Sequence, residues 1–351
     1  MNSKNAGSSR GVQIMTVHDA KDILVLGETR GSHIHGVTME LTSKARSLAD
    51  SLHEEVSVLV MYHELAENPG LLAGYGADRI LCVKDERLEL FNQEVQAQVL
   101  EEIIRRTAPR IVLAPATTAG RTVMPAVAAK LGTGLTADCT GLEIDDETGQ
   151  LLQTRPAIGG NIMAIIRTPE HLPQMATVRP KTFPVPQPSQ TGRAEVLHPS
   201  LPERVFRSRI EPLGFEKTGE EDVNIQDRDI IVSGGKGLKR SEHFDMLRKL
   251  ASLLDGGVGA SRAAVDNRWI GYPHQVGLSG KVVSPKVYMA VGISGAVQHL
   301  AGMQTADFIV AINKDPEAPI FRVADLGLCG DLFDIVPRLI DELQDRKGGG
   351  V

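Results

Sequence analysis

Residues 286–303 read "KVYMAVGISGAVQHLAGM". After Lys286 comes a short apolar run with no further charge, bounded by small residues. Such a run reads as a strand buried on both faces, as in parallel sheets. It ends in Gly292-Ile293-Ser294-Gly295, and the chain then enters a short helical pattern with Gln298 and His299 near its start. Strand, small-residue turn and helix make up the unit that builds doubly wound α/β sheets. Similar units surround it. "RDIIVSGGKGL" (228–238) is a strand running into a glycine turn, and "EHFDMLRKLASLL" (242–254) is a helix. "GGVGASRAAVD" (256–266) is a short strand with a turn, "DFIVAINKD" (307–315) a strand, and "DLFDIVPRLIDELQDR" (331–346) a closing helix.

The first half alternates in the same way. "DILVLGE" (22–28), "EVSVLVMY" (55–62) and "RIVLAPAT" (110–117) predict strands. "MELTSKARSLADSL" (39–52), "LFNQEVQAQVLEEIIRRT" (90–107) and "GRTVMPAVAAKLG" (120–132) predict helices. Residues 141–180 carry turn signals at Glu147-Thr148-Gly149 and Gly159-Gly160 and predict short strands and hairpins. Residues 181–204 hold Pro184, Pro186, Pro188, Pro199 and Pro202, too many for helices or central strands, and read as an extended linker or arm. The fold class is α/β, with two domains, each a mainly parallel sheet flanked by helices, the second of doubly wound type. The expected division is a polar tail (1–21), a first domain (22–204) ending in the linker, a second domain (205–346) and a tail (347–351).

At 351 residues the chain is long for a single core, so two domains are also the prior from length. It is 42% hydrophobic and 23% charged, with a net charge of −6 spread along its length, which argues against a nucleic-acid binder. No apolar run reaches the roughly 20 residues that span a bilayer. The polar start "MNSKNAGSSRGVQ" has no apolar signal core, so a cytoplasmic location is expected. Cys82, Cys139 and Cys329 are far apart and form no C-x-x-C, which argues against zinc and cysteine-ligated clusters and for free, buried thiols. His33 and His35 have no carboxylate or cysteine constellation beside them and read as surface; no metal site is expected. The acids of "DETG" (146–149) fall in a hairpin turn and read as solvated.

Several strands of the second half end in glycine or small polar residues: Ser233-Gly234-Gly235, Gly259-Ala260-Ser261, Gly292 to Gly295, and Ala311-Ile312-Asn313. Ligands of open parallel sheets bind beyond the carboxyl ends of the strands, where glycine lets backbone N–H groups approach phosphate oxygens. One such glycine merely closes a turn. Four turns in one domain, with Ser261, Ser294, Lys236 and Arg262 on the same rim, favour a dinucleotide site. Neither G-x-G-x-x-G nor a Walker loop is present. A lone helical histidine is most often structural, but His299 follows Ser294 by five residues in a helix whose start would face the ligand.

These residues resemble the α subunit of electron-transfer flavoproteins, the FixB type. The likeness is dense over 229–343, in "SGGKGL", "GASRAAVD", "HQVGLSGKVVSPKVYMAVGISGAVQHLAGM", "IVAINKDPEAPIF" and "VADLGLCGDLFDIVP", and extends over the chain from about residue 22. It implies a noncovalent FAD in the second domain. Lys236 would lie near the phosphate or ribose region and Arg262 against the isoalloxazine ring, with Ser261 a further cofactor-binding candidate. Gln275, Val276, Gly277 and Ser279 would follow the ring edge, with Leu278 among the cofactor-binding residues and the Ser279 hydroxyl near N5, where relatives in aerobic fatty-acid oxidation usually have Thr. Gly292, Ile293, Ser294, Gly295 and Ala296 would meet the ribityl–phosphate part. Gln298 and His299 would face the O2/N1 side, and Asn313, Asp331 and Leu332 would hold the adenosine end. One-electron reduction places negative charge on the N1–C2=O region, which makes Arg262, Ser279 and His299 the candidate redox-tuning set, with His299 the donor and Arg262 the cation.

The resemblance also implies a heterodimer with an electron-transfer flavoprotein β subunit, which would carry FAD or AMP, and a first domain that packs on that subunit. "LTADCTGLEID", "TRPAIGGNIMA" and Ser279 point to the electron-bifurcating group. In that group NADH reduces a second FAD, one electron goes to ferredoxin or flavodoxin, and the other leaves through the α-subunit FAD to an acyl-CoA dehydrogenase, a related flavin dehydrogenase or a quinone. Three alternatives stay open: a simple relay from acyl-CoA dehydrogenases to a quinone oxidoreductase, a stand-alone NAD-dependent dehydrogenase, and a structural subunit without flavin.

Overall fold

A computed structural model describes residues 20–157, 162–214 and 225–348. The polar tail up to residue 19, the Gly159-Gly160 turn and the tail from residue 349 lie outside the described residues. The chain divides into two compact units. The first holds Met1–Thr154, Ile165–Arg179 and Phe183–Pro212; the second holds Arg155–Ala164, Pro180–Thr182 and Leu213–Val351.

The first unit is built on seven strands: β1 (Ile23–Leu26), β2 (Val56–Tyr62), β3 (Arg79–Lys84), β4 (Ile111–Pro115), β5 (Leu135–Cys139), β6 (Gln174–Val178) and β7 (Glu195–Leu197). Their order is β7-β3-β2-β1-β4-β6-β5, and every pairing is parallel. Helices α1 (Gly36–Leu52), α2 (Gln93–Thr107) and α3 (Thr118–Leu131) cover it. Side chains alternate along β1, so Leu24 and Leu26 pack with Val99, Leu100, Ile103 and Met124, while Ile23 and Val25 pack with Leu41, Ala45 and Leu48. Helix α2 shows why such segments are helical. Asn92 caps it by accepting from the N–H groups of Glu94 and Val95, Glu94 sits in its first turn and Arg105 and Arg106 in its last.

Four strands of this sheet escape the sequence pattern, one of them Leu135–Cys139 (β5). "RILCVK" forms β3, paired from Ser57↔Arg79 to Tyr62↔Lys84. Within the stretch expected to be hairpins, Gly141–Ile144 and Leu151–Pro156 do pair antiparallel, but Gln174–Val178 returns to the parallel sheet with every residue buried. Within the proline-rich stretch, Glu195–Leu197 adds β7 beside β3, at a sheet edge where flanking prolines remove no ladder bond.

The second unit has β8 (Ile230–Gly234), β9 (Gly257–Ala260), β10 (Val287–Val291), β11 (Phe308–Asn313) and β12 (Leu326–Cys329), with α4 (Phe244–Leu253), α5 (Arg262–Asp266), α6 (Val297–Leu300) and α7 (Leu332–Gly348). The all-parallel order β9-β8-β10-β11-β12 reverses direction between β8 and β10. That is the switch point at which doubly wound sheets open a crevice. On one face Val232, Met289 and Val310 pack with Leu247 and Leu250 of α4 and Val336 and Ile340 of α7. On the other, Tyr288, Ala290 and Ala311 pack with Val276, Ile293, Met303 and Ile320, from loops and short turns.

Candidate functional site

The loops that follow β8 and β10 are stitched together at the switch point. Gly235 N–H donates to the Val291 carbonyl (2.9 Å), and Gly237 N–H donates to the Gly292 carbonyl (3.0 Å). Gly292 has φ of 63°, and a Cβ there would lie 2.8 Å from Leu332 Cδ2 and 2.9 Å from Gly237 Cα. Only glycine serves at this crossing.

Beyond the crossing lies a cleft of about 810 Å³, a size suited to a small-molecule cofactor. It brings together Lys236, Ser261, Arg262, Val276, Gly277, Ser279, Gly292, Ile293, Ser294, Ala296, Gln298, His299, Asn313, Asp331 and Leu332 from the residues expected there. Gln275, Leu278 and Gly295 do not line it. Gln275 is buried behind the rim, Leu278 is 66% exposed, and Gly295 carries a turn at φ of 88°. The cleft also includes Gly237, Lys239, Ala263, Asp266, Lys314 and Phe333, which the sequence reading missed. Lys239 Nζ lies 5.1 Å from the centroid of the Phe333 ring. A second lysine so soon after Lys236, and an aromatic directly after Asp331-Leu332, were the available signals.

The loop 275–281 is a closed hairpin-like turn. Val276 N–H donates to Ala260 O (2.9 Å) and Lys281 N–H to Gln275 O (2.7 Å). The Gln275 amide donates from Nε2 to Ser279 Oγ (3.1 Å), and the Tyr272 hydroxyl donates to the Ser279 carbonyl (2.9 Å). Because Ser279 Oγ already accepts from Gln275, the hydroxyl proton is free to be donated elsewhere. Ser261 Oγ is buried and has no hydrogen-bond partner. A buried polar atom left unsatisfied beside a cleft is a place for a ligand to bond.

Other expected contacts are partly committed to the fold. Asn313 Nδ2 donates to Ile293 O (2.9 Å), and its Oδ1 accepts from Asp315 N–H (3.0 Å). Asp331 Oδ1 accepts from Phe333 N–H (2.9 Å) at the start of α7. Arg262 reaches Asp266 at 3.3 Å and is 70% exposed. His299 lines the cleft and also touches the fold through both ring nitrogens. Its Nδ1 lies 3.1 Å from the Val276 carbonyl oxygen and its Nε2 3.0 Å from the Tyr288 hydroxyl, so both ring nitrogens are held inside the fold. Burial lowers its pKa to about 4, against a partial upward pull from the Val276 carbonyl, so the ring is neutral near pH 7.

Elsewhere, His33 is exposed and bonds Glu67 (3.1 Å), while His35 caps α1 by accepting from Val37 N–H. Among the described residues no group of three or more His, Cys, Asp or Glu could hold a metal. Cys82 and Cys139 are buried, but Cys329 is exposed, contrary to the expectation of a buried thiol, because β12 is the outer strand of its sheet.

Comparison with known proteins follows the same division. Residues 23–203 match the family model described as the electron transfer flavoprotein domain, and residues 224–304 match the electron transfer flavoprotein FAD-binding domain. The electron transfer flavoprotein subunit alpha of Thermoanaerobacterium thermosaccharolyticum is 43% identical over 94% of this chain and all of its own length. The acryloyl-CoA reductase electron transfer subunit beta of Anaerotignum propionicum is 37% identical, over 94% of this chain and 98% of its own. The lactate dehydrogenase (NAD(+),ferredoxin) subunit LctC of Acetobacterium woodii is 40% identical, over 89% of this chain and 74% of its own.

Proposed function

The chain belongs to the electron transfer flavoprotein α-subunit family, and from that premise we propose that it binds FAD noncovalently in the cleft of its second unit and passes single electrons as one half of a heterodimer with a β subunit. The observation that carries this reading is the cleft at the β8/β10 switch point. There glycine loops, the unpartnered Ser261 hydroxyl and the cations Lys236, Lys239 and Arg262 meet. These residues fit a dinucleotide with an extended anionic middle and a polar ring. Lys236 and the crossing loops would hold the phosphates, Ser261, Arg262 and Ser279 the ring, and Asp331, Leu332 and Phe333 the far end. The bound flavin would supply one-electron chemistry. The protein would bind it, orient it, and set the local field with Arg262 and the Ser279 proton.

Within that function we favour the electron-bifurcating arrangement, with NADH as donor, ferredoxin or flavodoxin as one acceptor, and an acyl-CoA dehydrogenase or related flavin dehydrogenase as the other. The names of the Anaerotignum and Acetobacterium relatives, which couple such proteins to an acyl-CoA reductase and to NAD(+) and ferredoxin, support it. The test is to co-express the chain with its β partner, purify the complex and count the nucleotides released on denaturation. Two FAD per heterodimer, reducible by NADH, is the expected result. One FAD with one AMP would replace bifurcation with a simple relay, and no flavin even after reconstitution would overturn the reading of the cleft.

A further inference from the structure

We infer that Lys239 is a specificity residue of the cleft: held over the Phe333 ring, it pairs with the second phosphate of a dinucleotide and so selects FAD over FMN. The inference rests on the flavin reading of the cleft given above. It begins at the turn that follows β8. Lys236–Leu238 form one 3₁₀ turn, closed where Lys239 N–H donates to the Lys236 carbonyl (3.1 Å). Two lysines thus stand one turn apart, and both line the cleft. Among the described residues neither is paired with a carboxylate, whereas Arg262 reaches Asp266. A lysine at a surface is ordinarily a strongly hydrated charge on a flexible stem. Lys239 is held more firmly than that.

Its backbone has φ of 67°, a region that residues other than glycine rarely adopt. Its ammonium lies 5.1 Å from the centroid of Phe333, within the range of a cation–π contact. The Phe333 ring is held in turn. Its backbone N–H donates to Asp331 Oδ1 at the start of α7 (2.9 Å), and His243 meets the ring edge-on, with centroids 4.6 Å apart. His243 Nδ1 donates to the carbonyl of Leu238, the residue before Lys239. Backbone, imidazole, phenyl ring and ammonium therefore close a circuit on this one loop. Along the rim the strands run β9-β8-β10-β11-β12. Phe333 thus draws a cation rooted after β8 toward the end of β12, while Arg262 follows β9 at the other side. A flavin with its ring at Arg262 would bring its first phosphate to Lys236. Only a flavin that continues into a second phosphate and a nucleoside would reach Lys239 and Phe333; FMN stops short of them.

The experiment titrates the full chain with FAD and with FMN, followed by flavin fluorescence, in the native sequence and in Lys239→Met, Lys239→Arg and Phe333→Leu. Lys239→Met should weaken FAD about tenfold and leave FMN unchanged, and Lys239→Arg should keep the native preference. Equal loss of both flavins in Lys239→Met, or loss of neither, would overturn the inference. Phe333→Leu should weaken FAD through the lysine, so adding it to Lys239→Met should bring little further loss. Losses that multiply would remove Phe333 from the positioning role. If FMN binds too weakly to titrate, ADP displacing FAD takes its place: Lys239→Met should weaken ADP about as much as FAD, and an unchanged ADP affinity contradicts the inference. A native chain that takes up no FAD overturns the proposed function. FAD bound without the selective loss overturns this inference alone, so the two failures are distinguishable.

Discussion

At Ser279 one hydrogen bond sets a direction. Gln275 donates to its oxygen, which leaves the serine proton for the cleft. Ser279→Ala should therefore weaken flavin binding by about 1 kcal/mol, roughly fivefold in Kd, with Ser279→Thr retaining affinity, as read by flavin titration. Arg262 acts by charge, and its 70% exposure lets water screen it. Arg262→Ala should lower the first one-electron potential by some tens of millivolts, where about 59 mV is a factor of ten; an unchanged potential would remove Arg262 from the tuning set. His299 contributes through neutrality. Its folded pKa of about 4 lies below the ordinary 6.5, so its stabilising preference for the uncharged ring is complete above pH 6.5 and is lost as pH falls through 4. The size is about 3 kcal/mol from the linkage relation. Denaturant melts at pH 7 and pH 4 should show that loss in the native chain and a smaller one in His299→Gln.

At the scale of elements, the crossing of the β8 and β10 loops is the part most sensitive to change. Gly292→Ala forces a side chain into φ of 63° and against Leu332 and Gly237. Gly132→Ala, at the C-cap of α3, meets the same kind of φ (69°) with nothing within 4 Å, so it reports the backbone cost alone, about 1 kcal/mol. Thermal melts should show the larger drop for Gly292→Ala, and flavin binding should be lost only there. Equal effects would mean the crossing is not tightly packed. The same crossing was legible in the sequence, because a β-branched run that ends in glycine has few other readings. β3 was not, since "RILCVK" is short and flanked by Asp78 and Asp85, so its apolar signal is cut off on both sides. β6 hid in a stretch with hairpin turns, because a parallel return leaves no local mark when no long helix precedes it. The partners of His299 were beyond reach of any local pattern: Tyr288 is 11 residues away and Val276 23, and only packing decides that they meet.

At the scale of the whole molecule, two parallel sheets have been put to different use. In the first unit helices and their apolar clusters close both faces of a seven-stranded sheet. In the second, loops and short turns complete one face, and the rim they form carries the charged and hydroxyl groups of the cleft. A chain built this way should hold its flavin through the second unit alone. Hydrogen exchange measured by mass spectrometry on the full chain, with and without FAD, tests that claim most directly. The account predicts new protection in the segments 235–239, 260–262, 276–279, 292–299 and 330–333, and unchanged exchange at the loops of the first unit. Absence of protection in those segments, or protection confined to the first unit, would contradict it.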